Sequence, residues 1–81
     1  MAVTKKFYLT FPKNKVSTPV ICDMYDKYKV RFNIRSASVN EQVGLMAVEL
    51  EGPDTQVVEA IKFFKSRGLT VEPIEMNVIE G

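Results

Sequence analysis

The chain has 81 residues, 46% of them hydrophobic and 26% charged, which suffices for one modest core and a single domain over residues 1–81. Eleven Lys and Arg against ten Asp and Glu leave a net charge of +1, which excludes a mainly electrostatic nucleic-acid binder. The chain has no His and one Cys, Cys22, which excludes imidazole catalysis, His-ligated zinc, an internal disulfide and a self-contained iron–sulfur cluster.

The first predicted element is a strand over residues 5–11. Phe7, Leu9 and Phe11 alternate there with polar neighbours, as in a half-buried strand, and Pro12 ends it. A helix is then predicted to begin at the segment Ser17-Thr18-Pro19, because a hydroxyl caps free N–H groups and proline fits a first turn. Its core-facing stripe has helical spacing: Ile21, Met24, Tyr25 and Tyr28.

The second and third strands form a predicted hairpin. Alternation over residues 30–35 directs three apolar side chains inward: Val30, Phe32 and Ile34. The alternation slips between Arg35 and Ala37, which predicts a β-bulge. A loop follows at residues 40–42, and the third strand covers residues 44–51, with three inner side chains: Met46, Val48 and Leu50.

A second helix is predicted to open at Gly52-Pro53-Asp54, with Gly52 or Asp54 as its cap. It closes at Gly68 in a left-handed conformation, and its core stripe comprises four residues: Val57, Ala60, Ile61 and Phe64. The last strand runs from Leu69 to about Val78. It must lie at a sheet edge, because Pro73 within it cannot donate to a ladder.

The resulting order, β-α-β-β-α-β, defines the expected fold. Each β-α-β half crosses over right-handed, so both helices cover the same face of the sheet. We therefore expect an α+β, ferredoxin-like sandwich whose four-stranded antiparallel sheet has the strand order 4-1-3-2.

The opposite, open face of this sheet is predicted to carry a mixture of polar and apolar side chains: Lys6, Tyr8, Thr10, Arg31, Asn33, Arg35, Leu45, Ala47, Glu49 and Glu72. We expect it to form an interface with a second copy or a partner domain, through Tyr8, Thr10, Leu45 and Ala47. The alternative is a solvated face with scattered apolar residues, which is common.

Several segments resemble one known family. Phe32-Asn33-Ile34-Arg35 resembles the Asn-Ile-Leu signature of the NIL domain, the C-terminal regulatory domain of methionine-importer ATPases. Four more segments resemble the family in the same order along residues 5–75: Phe7–Phe11, Ser17–Ile21, Gly44–Gly52 and Arg67–Glu72. The resemblance implies the same fold and a regulatory module that binds L-methionine or a related amino acid as a homodimer.

The resemblance also implies a ligand contact at Asn33. The flanking Arg31 and Arg35 could bind the carboxylate of an amino acid, while the carboxamide of Asn33 can both donate and accept. The alternative is three solvated side chains that protect an edge strand from aggregation. Arg35 stands where the family has Leu. The chain also has neither a phosphate-binding Gly-x-x-x-x-Gly-Lys-Ser/Thr segment nor the cysteines of a ferredoxin module.

A second functional hypothesis is an assembly subunit without a small-molecule ligand. It would serve a ferredoxin, a transporter or an enzyme of sulfur-amino-acid metabolism.

RNA binding is disfavoured because the strand from Gly44 lacks an aromatic platform. The carboxylate pairs Asp23/Asp26 and Glu49/Glu51 do not indicate catalysis, so we expect no enzyme, cofactor or metal site. A single Cys and the lack of an apolar stretch of roughly 18 residues predict a complete cytoplasmic chain without membrane insertion.

Overall fold

A computed structural model describes residues 2–15 and 19–74. Besides a short 3₁₀ turn at Lys13–Lys15, its elements are the strands β1 (Ala2–Phe11), β2 (Arg31–Val39), β3 (Gly44–Pro53) and β4 (Thr70–Pro73) and the helices α1 (Val20–Lys27) and α2 (Asp54–Ser66). The sheet is antiparallel with the order β2-β3-β1-β4, which is the predicted order read from its other edge. The predicted fold class is therefore confirmed.

One hydrophobic core fills the space between the sheet and the two helices. The alternating side chains of β1 and β3 supply its floor, as their period of two predicts, and the apolar stripes of the helices close it. The rings of Phe7 on β1 and Phe64 on α2 lie 6.3 Å apart, centroid to centroid, and join the two layers. In the part of the chain that the structure describes, no polar or charged side chain is buried, and no helix is long and apolar enough to cross a membrane.

The core side of α1 is rotated from the predicted stripe. Val20 and Met24 are fully buried, while Tyr25 is 63% exposed, so its predicted core position is wrong. In this helix of eight residues, Val20 and Met24 lie about one turn apart and mark its buried side. Tyr25 follows Met24 directly and is therefore rotated by about 100° from it around the helix axis. Pro19 occupies the N-cap position without a side-chain cap, and the predicted capping residues Ser17 and Thr18 lie outside the described residues.

β2 is an edge strand with little cover. Ile34 pairs with the fully buried Val48, yet it is 50% exposed, whereas Phe32 near the start of the same strand is partly buried against the core. The prediction that Ile34 faces the helices is confirmed, and the prediction that it is buried is wrong. The predicted bulge is confirmed, since the pairing shifts by one residue between Ile34 and Ser36 and leaves Arg35 without a partner in the register.

The hairpin that follows β2 closes on an Asn side chain. The Oδ1 atom of Asn40 accepts hydrogen bonds from the backbone N–H groups of Gln42 (2.7 Å) and Val43 (3.0 Å). Such a turn is typical of Asn, whose carboxamide can replace a backbone acceptor. The predicted hairpin loop is therefore confirmed.

α2 begins without a side-chain cap and ends at a glycine. Pro53 takes the N-cap position, so the prediction of Gly52 or Asp54 as the cap is wrong. At the other end, Leu69 N–H donates to the Phe64 carbonyl (3.1 Å), and Gly68 N–H donates to the Lys65 carbonyl (3.0 Å). These two bonds define a Schellman motif, and Gly68 has the predicted left-handed conformation, with a φ of 89°.

β4 is the other edge of the sheet, where Pro73 was expected. Its four residues pair with β1, from Thr70 opposite Thr10 to Pro73 opposite Phe7. The predicted continuation of this strand to Val78 lies outside the described residues.

Candidate functional site

The register of β2 on β3 assembles a polar site on the open face of the sheet. Asn33 lies opposite Glu49, and Arg31 lies opposite Glu51. Side chains that face each other across an antiparallel pair have Cβ atoms roughly 4.5–5.5 Å apart, which is within contact distance. These four residues and Phe32 line a depression of about 290 Å³, which we call the Asn33 site.

Glu49 is the centre of the charges at this site. Its Oε2 atom lies 2.8 Å from Arg35 Nη1 and 3.8 Å from Lys6 Nζ. Its side chain is 19% exposed, against 59% for that of Arg35. Arg35 thus reaches the site from the bulge through an ion pair with Glu49.

The donors and acceptors of the Asn33 site fit a zwitterion. Arg31 forms no ion pair with any residue that the structure describes, so its guanidinium is free to bind a carboxylate. Glu49 and Glu51 supply acceptors for an ammonium group, and the carboxamide of Asn33 can serve either end.

The structure brings the predicted residues Arg31 and Asn33 together directly, and Arg35 through its ion pair. Glu49 and Glu51, which were not predicted to contact a ligand, also line the site. Their position depends on the register of β2 on β3. The alternation of polar and apolar residues within one strand does not show which residues lie opposite it on the next strand.

The predicted interface residues occupy two rows across the open face. Tyr8, Ala47 and Ser36 form one row, and Thr10 pairs with Leu45 in the next. Tyr8 is 42% exposed and Leu45 44%, while Ala47 is only 8% exposed because its neighbours cover its single methyl group. The exposed apolar surface on this face therefore comes from Tyr8 and Leu45 rather than from Ala47.

A crystal structure of the C-terminal domain of an ABC transporter / ATP-binding protein from Enterococcus faecalis has the same fold. It superimposes with a TM-score of 0.77 at 19% sequence identity, and the match covers 90% of this chain and 86% of that chain. No curated protein matches the sequence.

The sequence also matches a protein-family model. The family model described as the NIL domain matches residues 5–73, which is most of the sequence and extends from within β1 to the end of β4. The chain belongs to the NIL domain family.

Proposed function

We propose that this chain is a regulatory module that binds methionine or a related amino acid at the Asn33 site. Membership of the NIL domain family supports a regulatory role. The observation that carries the ligand class is the register that places Asn33 opposite Glu49 and Arg31 opposite Glu51. This arrangement offers a cation for the ligand carboxylate and carboxylates for its ammonium group.

We further propose that the working form is a homodimer in which a second copy covers the open face. A pocket normally buries more than about 70% of a small ligand, and a depression on one sheet face cannot do so alone. The exposed Tyr8 and Leu45 supply apolar surface beside the Asn33 site. A second open face packed against them would enclose the ligand.

The similarity in fold to the C-terminal domain of an ABC transporter / ATP-binding protein suggests the target of regulation. We propose that the module acts on the ATPase of a transporter.

Isothermal titration calorimetry with L-methionine tests the ligand. We expect micromolar binding by the wild type and a loss of roughly tenfold or more in affinity for Asn33→Ala, since a ligand enclosed between two copies would lose a hydrogen-bond partner. The matched control is Asn14→Ala, which removes an exposed carboxamide from the 3₁₀ turn and should bind normally. Absence of heat with methionine, homocysteine and other amino acids at millimolar concentration would refute the ligand-binding role.

One observation favours the second candidate, an assembly subunit without a small ligand. Arg35 already occupies Glu49 at 2.8 Å, so the acceptor for a ligand ammonium group is engaged within the chain. If calorimetry shows no heat, a stoichiometric complex with a transporter ATPase, a ferredoxin or an enzyme of sulfur-amino-acid metabolism becomes the expected result. Co-purification followed by mass determination of the complex measures it.

A further inference from the structure

A second candidate site lies on the helix-covered side of the molecule, near the end of β4. It is a groove of about 390 Å³ between α2 and the β1–β4 pair. Its apolar wall consists of one buried and four partly or largely exposed side chains: Phe7, Val58, Ile61, Val71 and Pro73. It shares no lining residue with the Asn33 site. We call it the α2 groove.

Among the residues that the structure describes, the charges that line the α2 groove have one sign. The remaining lining residues are all lysines: Lys5, Lys6, Lys62 and Lys65. Of these, Lys6 extends toward the open face, where it pairs with Glu49 at 3.8 Å. The other three belong to the groove alone. The chain as a whole has a net charge of +1, whereas four lysines and no described carboxylate line this groove.

Two of these three lysines are free of ion pairs with the described residues. Lys62 Nζ lies 3.6 Å from Glu59 Oε2, whereas Lys5 and Lys65 have no carboxylate partner in the part of the chain that the structure describes. Lys62 and Lys65 are three residues apart and therefore lie on the same side of α2. Lys5 faces them from β1 across the apolar wall.

We propose that the α2 groove docks an acidic segment of a protein partner, in which apolar side chains alternate with carboxylates. The positive charge of the lysines favours a negatively charged partner. The apolar wall favours a partner whose apolar side chains alternate with its carboxylates. The ammonium groups are point charges on flexible stems, which adapt to an extended peptide. A small carboxylate would instead need a few fixed polar groups around an enclosed cavity, and this groove is lined by apolar side chains and lysines.

The test uses the full chain and a synthetic peptide, Glu-Leu-Glu-Val-Glu-Leu, with a terminal fluorophore. We expect saturable binding by fluorescence anisotropy that weakens with added salt, and NMR shift changes at the methyl groups of Val58, Ile61 and Val71. The double variant Lys62→Gln/Lys65→Gln should bind roughly 2- to 30-fold more weakly, which is the range expected for two exposed ion pairs. The matched double variant Lys13→Gln/Lys29→Gln has the same net charge and should bind like the wild type.

Three results would overturn the proposal. The first is equal binding of a peptide in which Gln replaces every Glu, because charge then has no role. The second is an absence of peptide binding at millimolar concentration. The third is binding of octanoate as tight as that of the peptide, which would reassign the groove to a small carboxylate.

Val58→Thr, which keeps the shape of the wall but adds a hydroxyl, should weaken the peptide complex without changing its salt dependence. This test is independent of methionine binding at the Asn33 site.

Discussion

Glu49 lies between two cationic side chains that come from different strands. It pairs with Arg35 of β2 at 2.8 Å and with Lys6 of β1 at 3.8 Å, on a side chain that is 19% exposed. Because Arg35 itself is 59% exposed, the stronger of these pairs is screened by solvent and contributes little to the stability of the fold. We expect the main effect of this ion pair to be on which other groups Glu49 can bind.

Replacement of Arg35 by Leu should therefore strengthen methionine binding at the proposed site. The Glu49 carboxylate is then free to accept the ammonium group of the ligand. The expected gain is roughly two- to fivefold in affinity, which corresponds to the loss of one exposed ion pair as a competitor. Calorimetry on Arg35→Leu measures it. Arg31→Leu is the opposing control and should weaken binding, since it removes the proposed donor to the ligand carboxylate. Equal or weaker binding by Arg35→Leu would show that Arg35 does not compete with the ligand.

Among the elements, α2 has the most clearly defined end. Its last turn is closed by the Schellman motif, which requires a φ of 89° at Gly68. The same helix contributes the fully buried Val57, Ala60 and Phe64 to the core, so its length and orientation matter for the whole sandwich.

Gly68→Ala should destabilise the fold by about 1 kcal/mol, because a Cβ atom is strained in the left-handed region. Urea denaturation followed by circular dichroism measures the change in the free energy of unfolding. Thr55→Ala, at an exposed position of the same helix, is the control and should change it by less than about 0.5 kcal/mol. An unchanged midpoint for Gly68→Ala would mean that the helix end relaxes into another conformation without cost.

The sequence predicted the faces of the elements better than their burial. Period-two alternation identified Ile34 as facing the helix layer and helical spacing placed Tyr25 on a stripe, but periodicity does not show how far the helices extend over the sheet. In both helices the N-cap residue is a proline, which has no side-chain oxygen to accept a hydrogen bond. Residue preferences alone did not predict these N-cap positions. At the candidate site, Asn33 was found through its family signature, whereas Glu49 required the cross-strand register.

At the scale of the whole molecule, the two candidate sites occupy opposite faces of the sheet. The Asn33 site lies on the open face, and the α2 groove lies on the helix-covered side. A dimer formed through the open face would leave the α2 groove of each copy accessible. The fold can thus support a ligand-dependent dimer and a separate contact with a protein partner.

Substitution of the exposed apolar residues of the open face tests the dimer. Tyr8→Lys/Leu45→Lys places like charges on both sides of the proposed two-fold interface, so the protein should be monomeric in analytical ultracentrifugation at micromolar concentration. Methionine binding should weaken together with dimerisation. Val39→Lys is the control, since it adds a charge at a 57% exposed position that faces the helix layer rather than the open face. A wild-type chain that is itself monomeric with methionine bound would disprove a shared site.

The bulge at Arg35 has a consequence for how this strand tolerates changes in length. Before the bulge Asn33 shares the open face with Arg31, and after it Ser36 takes that face opposite Ala47, so the extra residue reverses the phase of the strand. Removal of Arg35 converts β2 into a regular ladder in which every remaining side chain keeps its partner and its face. Insertion or deletion of one residue within the regular part of the strand before the bulge instead exchanges the faces of the residues on one side of the change. We therefore expect a chain that lacks Arg35 to keep the rest of its sheet, and the residue removed is the one that pairs with Glu49.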